Sequence, residues 1–434
     1  MATRGARGAR APATTGHGNA GGPGGVSPPA SFRIGVLGNG TVGAAFVELL
    51  GQRADAIADE VGARPEISGV LTRSRGDFGD ILDRSDLIVE AIGGTDPALE
   101  HVLAALRAGR HVVSANKQLL SRHGDELFDA AAASGVQLRF EAAVAGVVPV
   151  IRVISETLAG AHIERVNGIV NGTTNFILTA MERTGATYED ALAEAQALGY
   201  AEADPTEDVS GLDAAAKMAI LARLAFGAPV HVEDVPCEGI ESVTAEDIAY
   251  ARELGLSLKL IGSAERIDGG LAVSVYPAFL YAGHPLAAVH GSFNAVTIES
   301  PAITEITLSG PGAGGSQTAS ALLGDVISAM IPPPFAPPPA VPTRLVTDTV
   351  SAFYLHVDVG DHPGVLAQVA ELLGLQGVSI KSVVQKGMGV DARLAMVMHP
   401  VLESKFRAAV TLISRLEFVR GEPRVIRVIE GVFE

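Results

Sequence analysis

From residue 31 onward, short apolar runs alternate with longer stretches whose apolar positions recur every three or four residues. SFRIGVL (31–37), EISGVLT (66–72), DLIVEAIGG (86–94), RHVVSAN (110–116) and GVQLRFEAAV (135–144) have the length and β-branched content of buried strands. The segment after Gly38 and PALEHVLAALRAG (97–109), which ends in Gly, carry helical spacing. Strands and helices alternating at this rhythm predict an α/β fold with a parallel, doubly wound sheet of the Rossmann type.

The pattern changes after about residue 150. IERVNGIVNG (163–172) reads as a strand and a turn, while TTNFILTAMERT, TYEDALAEAQALGY and VTAEDIAYARELG read as helices. LKLIGSAERI and LAVSVYPAFL are strands separated by the Asp268-Gly269-Gly270 turn. An inserted, mixed α+β domain is therefore expected. SGPGAGGSQTASALLGDVISAM (309–330) is a Gly-rich turn opening a helix, and IPPPFAPPPAVP (331–342) cannot continue it; its prolines predict a stiff extended connector. AFYLHVDV, GVLAQVAELLGLQ, SIKSVVQKG, ARLAMVMHP, LESKFRAAVTLISRL and PRVIRVIEGVF then run in the order of a ferredoxin-like βαββαβ module. The expected division is a tail over 1–30, a dinucleotide-binding domain over 31–150 completed by 310–340, a catalytic α+β domain over 151–309, a linker over 331–350 and a module over 351–434.

Composition narrows the class. With 47% hydrophobic and 19% charged residues the chain is globular, and a net charge of −17 argues against a nucleic-acid partner, which needs a basic face. The single cysteine, Cys237, excludes a disulfide framework and a Cys-based metal site, and fits a reducing compartment, the cytoplasm. No apolar run is long enough to span a membrane. Residues 1–30, a Gly/Ala/Pro tail with three Arg, lack the apolar centre of a secretory signal and are expected to be disordered.

Gly38-Asn39-Gly40-Thr41-Val42-Gly43 fits G-x-G-x-x-G between a predicted strand and a predicted helix, the context in which that spacing binds a dinucleotide. Its glycines let the backbone approach a pyrophosphate at a helix N-terminus. No acid ends the second strand to take a ribose hydroxyl. Arg73 and Arg75 stand there instead, and their guanidiniums favour the 2′-phosphate of NADP(H) over NAD(H). A solvated basic loop is the plainer alternative.

EADPTEDVSGLDAAAKMAILARLAF (202–226) crowds five carboxylates into its first half, and its second half is an apolar helical run that contains Lys217. Ser210 or Asp208 is a candidate cap for that helix. Asp213 and Lys217, four apart, share one helical face. As a surface pair they would matter little, but a helix apolar all round is buried, and a buried lysine needs a partner. The stretch reads as one site, with acids for a substrate ammonium and a lysine for a proton. Cys237 lacks a histidine partner nearby in sequence and reads as structural, so acyl chemistry through a thiol is not favoured. Reversible alcohol–carbonyl chemistry needs only a hydride carrier and a proton donor.

GVLGNGTVG, SANKQLL, EAAVAGVVP, NGIVNGTTNFIL, GYAEADPTEDVSGLDAAAKMAILAR, HPLAAVHGSFNAV and GPGAGGSQTASA occur in this order, and together they resemble the homoserine dehydrogenase family from Phe32 onward. DHPGVLAQVAELLGLQGVSI resembles an ACT domain, a combination typical of the monofunctional bacterial enzyme. The resemblance implies NAD(P)H-dependent reduction of L-aspartate 4-semialdehyde to L-homoserine, on the route to threonine, isoleucine and methionine. It makes Lys217 the proton donor, places Lys117 where cofactor and substrate meet, and sets Glu202, Asp208 and Asp213 around the substrate ammonium and the lysine, with Glu207 less decisive. It assigns Asn171, Gly172, Thr173 and Thr174 to a substrate loop, and Thr95, Gly312 and Gly314 to the nucleotide. It also implies a structural Na or K ion held by Glu141 and the carbonyls of Val144, Gly146 and Val148; read from the residues alone, a plain turn serves equally. Asp361-His362-Pro363-Gly364 would serve an effector, threonine, at a subunit interface of a homodimer or homotetramer, with an inert dimerisation module as the alternative. Two other readings stay open: a related dehydrogenase of another amino-acid substrate, and a non-catalytic amino-acid sensor.

Overall fold

A computed structural model of the chain describes residues 30–312, 314–331, 341–387 and 392–429. The expectations for the N-terminal tail and for the prolines at 332–340 lie outside the described residues.

The first sheet contains β1 (Ala30–Leu37), β2 (Ala63–Leu71), β3 (Leu87–Glu90), β4 (His111–Ser114) and β5 (Leu138–Arg139). All pairings are parallel, in the order β2-β1-β3-β4-β5. The strands read as continuous apolar runs because both faces are covered. Leu87, Val89 and Val113 join the core shared with helices Thr41–Val61 and Gly315–Ala329. Ile88 and Val112 turn to the opposite core, with helices Ala98–Arg107 and Lys117–Ser134. The chain thus returns after residue 314 to complete one face of this sheet. The fifth strand is shorter than the expected run over 135–144. Glu141–Ala143 forms a single 3-10 turn instead, because the Glu141 carboxylate binds the amides of Ile151 and Arg152 and bends the chain.

The second sheet begins with β6 (Arg165–Ile169), β7 (Leu256–Ile267), β8 (Gly270–Tyr281), β9 (Phe293–Ser300) and β10 (Thr304–Pro311), antiparallel in the order β10-β9-β6-β7-β8. The β7–β8 hairpin turns at Asp268-Gly269 with Gly269 in the left-handed region, as that turn sequence suggests. The β9–β10 hairpin was not among the expected elements. The C-terminal segment supplies β11 (Val350–Val359), β12 (Ile380–Lys386), β13 (Ala392–Met398), the two-residue β14 (Val401–Leu402) and β15 (Val419–Ile429), with helices Val365–Leu375 and Glu403–Ile413. Its four long strands lie in the order β15-β11-β13-β12, which fits the βαββαβ expectation. Its sheet is not separate, however. β15 pairs in parallel with β8 from Arg427↔Ala278 to Ile429↔Leu280, so one mixed sheet runs through both regions.

Candidate active site

The Leu212–Phe226 helix lies between the two sheets' layers, packed on the Lys117–Ser134 helix and against β7 and β8. Its approach to β7 requires glycine at 262: a Cβ there would sit 2.4 Å from Met218 Cγ. The expected side-chain cap is absent. The helix starts from Gly211 at φ 86°, Asp208 turns away to Asn171, and the buried Ser210 hydroxyl has no partner among the described residues. Burial on all sides leaves the Lys217 side chain 13% exposed and Asp213 3% exposed.

Lys217 Nζ donates to Asp213 Oδ2 at 2.7 Å and to the Val170 carbonyl at 2.7 Å. An ammonium has three protons, so one is left for a ligand. Lys117 reaches the other oxygen, Asp213 Oδ1, at 2.5 Å. Asn171 Nδ2 completes the set, donating to Asp213 Oδ2 at 2.8 Å and to Asp208 Oδ1 at 2.6 Å. Burial alone would raise the Asp213 pKa, but the Lys217 and Lys117 ammoniums outweigh it and hold the carboxyl well below the usual range. Burial alone would lower Lys117; Asp213, with Glu207 and Asp208, more than reverses this and raises it. Asp208 is raised, first by burial and then by the nearby Asp213 charge.

The remaining expected residues divide. Asn171 caps the Gly172–Thr184 helix through Thr174 N at 2.8 Å and also receives the Thr174 hydroxyl, so its amide is spent on holding the site together. Gly172 and Thr173 open that helix, where first-turn N–H groups lack intrahelical acceptors. The Thr173 hydroxyl donates to Tyr200 O. Glu207 Oε1 accepts from Gln118 Nε2 at 2.8 Å and its other oxygen lies 4.0 Å from Lys117. Glu202 is exposed and no hydrogen bond ties its carboxylate to the cluster; its carbonyl accepts from Gln196.

The glycine turn sits at the point where the strand order reverses, between β1 and β3, as an open α/β sheet places its ligand. The cradle fits a pyrophosphate. A Cβ at Gly43 would lie 2.1 Å from Gly38 O, so helix and turn meet without side-chain room, whereas nothing lies within 4 Å of Gly40, which leaves the backbone open to a ligand. Asn39 and Thr41 are exposed beside it and Val42 is half-buried. Gly38 N donates to Leu71 O at 2.9 Å, which sets the turn against the Thr72–Arg75 turn, where Arg73 and Arg75 are exposed. A Cβ at Gly315, next to Gly314 at the head of the last helix, would lie 3.0 Å from Thr41 Cγ2, so the two helix starts approach closely. Gly312 instead packs on Asn294 and Gly146, away from this turn's direct contacts.

Several groups escaped the sequence reading. Buried Glu90, ending β3, accepts from Ile92 N, Ser114 Oγ and Asn116 Nδ2, and Asn116 in turn donates to Gly94 O. Asn116 caps the helix that begins with Lys117, so this network fixes the loop carrying Thr95 and the base of Lys117 together. The signal was a carboxylate inside the apolar run DLIVEAIGG. In the turn over 141–148, Ala145 and Gly146 are both left-handed. Glu141 is raised to about 7, first by burial and then by Asp325, which is itself raised to about 6 by burial. Both Glu141 carboxylate oxygens take main-chain amides, at 2.8 and 2.9 Å, and Val148 O accepts from Val150 N. Each carboxylate oxygen keeps a second lone pair, so these two bonds leave room for a cation beside the carbonyls.

A family model described as "Homoserine dehydrogenase, NAD binding domain" matches residues 38–141, and one described as "Homoserine dehydrogenase" matches 149–327. A homoserine dehydrogenase of Corynebacterium glutamicum is 43% identical, over 93% of this chain and 97% of that protein. The solved homoserine dehydrogenase of Thiobacillus denitrificans superposes with a TM-score of 0.88 at 37% identity, covering 92% of this chain and 98% of the other. A hyperthermophilic archaeal homoserine dehydrogenase solved in complex with NADPH gives a TM-score of 0.61 at 28% identity, over 70% and 99%.

Proposed function

Because this chain belongs to the homoserine dehydrogenase family, we propose that it interconverts L-aspartate 4-semialdehyde and L-homoserine. The observation that carries the reading is the Lys217 ammonium, buried on Asp213 and the Val170 carbonyl with one proton uncommitted. A nicotinamide, when bound, supplies or takes the hydride. Lys217 gives its free proton to the developing alkoxide. Asp213, ionised between two lysines, orients both and holds Lys117 charged. The Gly172 and Thr173 amides suit the substrate carboxylate, and Asp208, with Glu207 and Glu202 at the rim, suits its ammonium. Gly38, Asn39, Gly40, Thr41, Val42, Gly43, Thr95, Gly312 and Gly314 would hold the dinucleotide, with Lys117 between it and the substrate.

Arg73 and Arg75 support NADP(H) over NAD(H), because two exposed guanidiniums flank the turn that meets Gly38. The archaeal relative's NADPH agrees with this preference. A Na or K ion at 141–148 is a structural element in this reading, held by Glu141 and the carbonyls of Val144, Gly146 and Val148. The C-terminal module is an ACT domain responding to threonine in a homodimer or homotetramer, supported by its strand order and its continuity with the central sheet.

Loss of reduced-nicotinamide absorbance with L-aspartate 4-semialdehyde tests the reaction. Turnover with NADPH exceeding that with NADH, and its suppression by L-threonine, are the expected results. Absence of turnover with either cofactor in folded protein overturns the substrate assignment; equal cofactor use overturns only the role of the two arginines.

A further inference from the structure

Glu90 is fully buried at the end of β3. Its Oε1 accepts from Ile92 N at 2.8 Å and from Asn116 Nδ2 at 3.3 Å, and its Oε2 accepts from Ser114 Oγ at 2.6 Å. Ser114 is its register partner on β4, which is why the two side chains meet. All three donors are neutral. Burying a carboxylate against neutral groups is costly, so each of these bonds is needed. With no exposed surface the group acts only through its neighbours.

Those neighbours converge on one loop. The chain leaves β3 through Gly93 and Gly94, both left-handed at φ 81° and 68°, with nothing within 4 Å of a Cβ at either position. Two such glycines make a soft turn. Glu90 pins the chain before the pair, through Ile92 N, and Asn116 pins it at Gly94 by donating to the carbonyl at 2.6 Å. The same Asn116 caps the helix that begins at Lys117, accepting from Leu119 N at 3.1 Å. On the other side, a Cβ at Gly38 would lie 2.4 Å from Ala91 O, so the root of the loop packs against the glycine turn. One carboxylate thus registers three pieces at the carboxyl ends of β1, β3 and β4: the Gly38 turn, the loop carrying Thr95 and the Lys117 helix.

We propose that Glu90 is a positioning residue for the nicotinamide half of the dinucleotide, acting through Ile92 and Asn116 on the loop over 93–95 and on Lys117. The inference rests on a dinucleotide's occupying the turn over 38–43. In that reading the adenine half has supports of its own, Arg73 and Arg75 beyond the end of β2, and β1 separates that strand from Glu90. Disturbing the Glu90 carboxylate therefore affects one end of the cofactor and spares the other.

Glu90→Gln in the full chain keeps the size and turns one accepting oxygen into a donor, set either against Ile92 N and Asn116 Nδ2 or against the Ser114 hydroxyl. Turnover should fall by at least about tenfold, toward the hundredfold that a misplacement of about 1 Å can cost. In calorimetric titrations NADPH should bind about tenfold more weakly, the scale of losing a charged hydrogen bond, while the adenine half alone, 2′,5′-ADP, should bind within about twofold of the unmodified chain. NADH and ADP replace this pair if NADH is the tighter ligand. Should Glu90→Gln fail to fold, Ser114→Ala carries the test: it removes the Oε2 bond, keeps the carboxylate, and should show the same split between dinucleotide and half with a loss of about threefold. Equal weakening of dinucleotide and half makes Glu90 a general support of the fold and overturns the inference. Turnover and NADPH affinity that both stay within about twofold overturn it as well. If the unmodified chain binds neither NADPH nor NADH, the dinucleotide reading fails and takes this inference with it.

Discussion

Lys217 and Lys259 both reach little solvent, and the difference between them is one carboxylate. Lys217 Nζ rests on the Val170 carbonyl at 2.7 Å and on Asp213 Oδ2 at 2.7 Å. Lys259 Nζ rests on the Val289 carbonyl at 2.6 Å, but its second neighbour is the neutral Asn175 Oδ1 at 3.4 Å. Lys259 is the more buried of the two, and burial pulls its pKa down to about 8, against a smaller opposing pull from Glu182. A carbonyl alone holds a charge weakly in a dry interior; a carboxylate compensates it better and needs support itself. Asp213 has that support from two ammoniums and the Asn171 amide. The lysine proposed as the proton donor is therefore part of a closed network, while Lys259 is left partly compensated.

The largest effect is expected on removing the proposed proton donor. Lys217→Ala should retain the fold and cofactor binding, measurable by quenching of nicotinamide fluorescence, and lose turnover by at least about a hundredfold, the scale of a lost general acid. Turnover within a few-fold of the unmodified chain would remove Lys217 from the chemistry. Asp213→Asn comes next: it gives Lys217 the surroundings of Lys259, an amide and a carbonyl. Turnover should fall by tens of fold, and the alkaline limb of its pH profile should move to lower pH, because Asp213 holds Lys117 above its ordinary value. Stability follows the same group. Asp213 has a folded pKa far below its ordinary 3.8, so its contribution is complete above that value and is lost only as pH falls beneath it. The variant should then be less stable at neutral pH, read as a lower unfolding midpoint.

How much of this was legible depended on sequence distance. The Asp213–Lys217 pair was readable because a helix brings positions four apart together, and the apolar neighbours announced its burial. The glycine turn was readable because the strand before it and the helix after it were. Lys117 and Asn171 lie 96 and 42 residues from Asp213, and no local period reports such contacts; family resemblance alone pointed to them. Glu202 fell outside because five acids in one stretch look alike until the fold exposes some and buries others. The cap was misjudged because Asn171, remote in sequence, claims Asp208 first. Lys259 drew no notice, since nothing in LKLIG says that the Gly172–Thr184 helix covers that face of β7. The joining of β15 to β8 was hidden for the same reason: a strand edge carries no mark of its partner.

Asn171→Ala sharpens the comparison at the level of support. It removes the two amide protons that tie Asp208 and Asp213 together and a helix cap, leaving both lysines on Asp213. About 1 kcal/mol of stability should go with the cap. Turnover should fall by about tenfold, less than for Asp213→Asn, because the ammoniums still hold the carboxylate. A loss as large as that of Lys217→Ala would make the amide, and not the charge pairing, the decisive support.

The smallest effect is expected at Lys259. Lys259→Met keeps the volume and removes the charge. Because its folded pKa is lowered from 10.5 to about 8, the native state binds fewer protons than the unfolded chain between those values. The group's penalty is therefore complete below about pH 8 and is relieved as pH climbs toward 10.5. The methionine variant has no such relief. At neutral pH it gains by losing a poorly compensated charge and loses the bonds to Val289 and Asn175, so the net change should stay within about 1 kcal/mol. The informative quantity is the difference in unfolding midpoint between variant and unmodified chain, followed from pH 7 to 10: it should move steadily in favour of the unmodified chain as pH rises. Parallel curves would mean that Lys259 stays as charged in the folded chain as in the unfolded one, and a carboxylate would then not be what separates the two lysines.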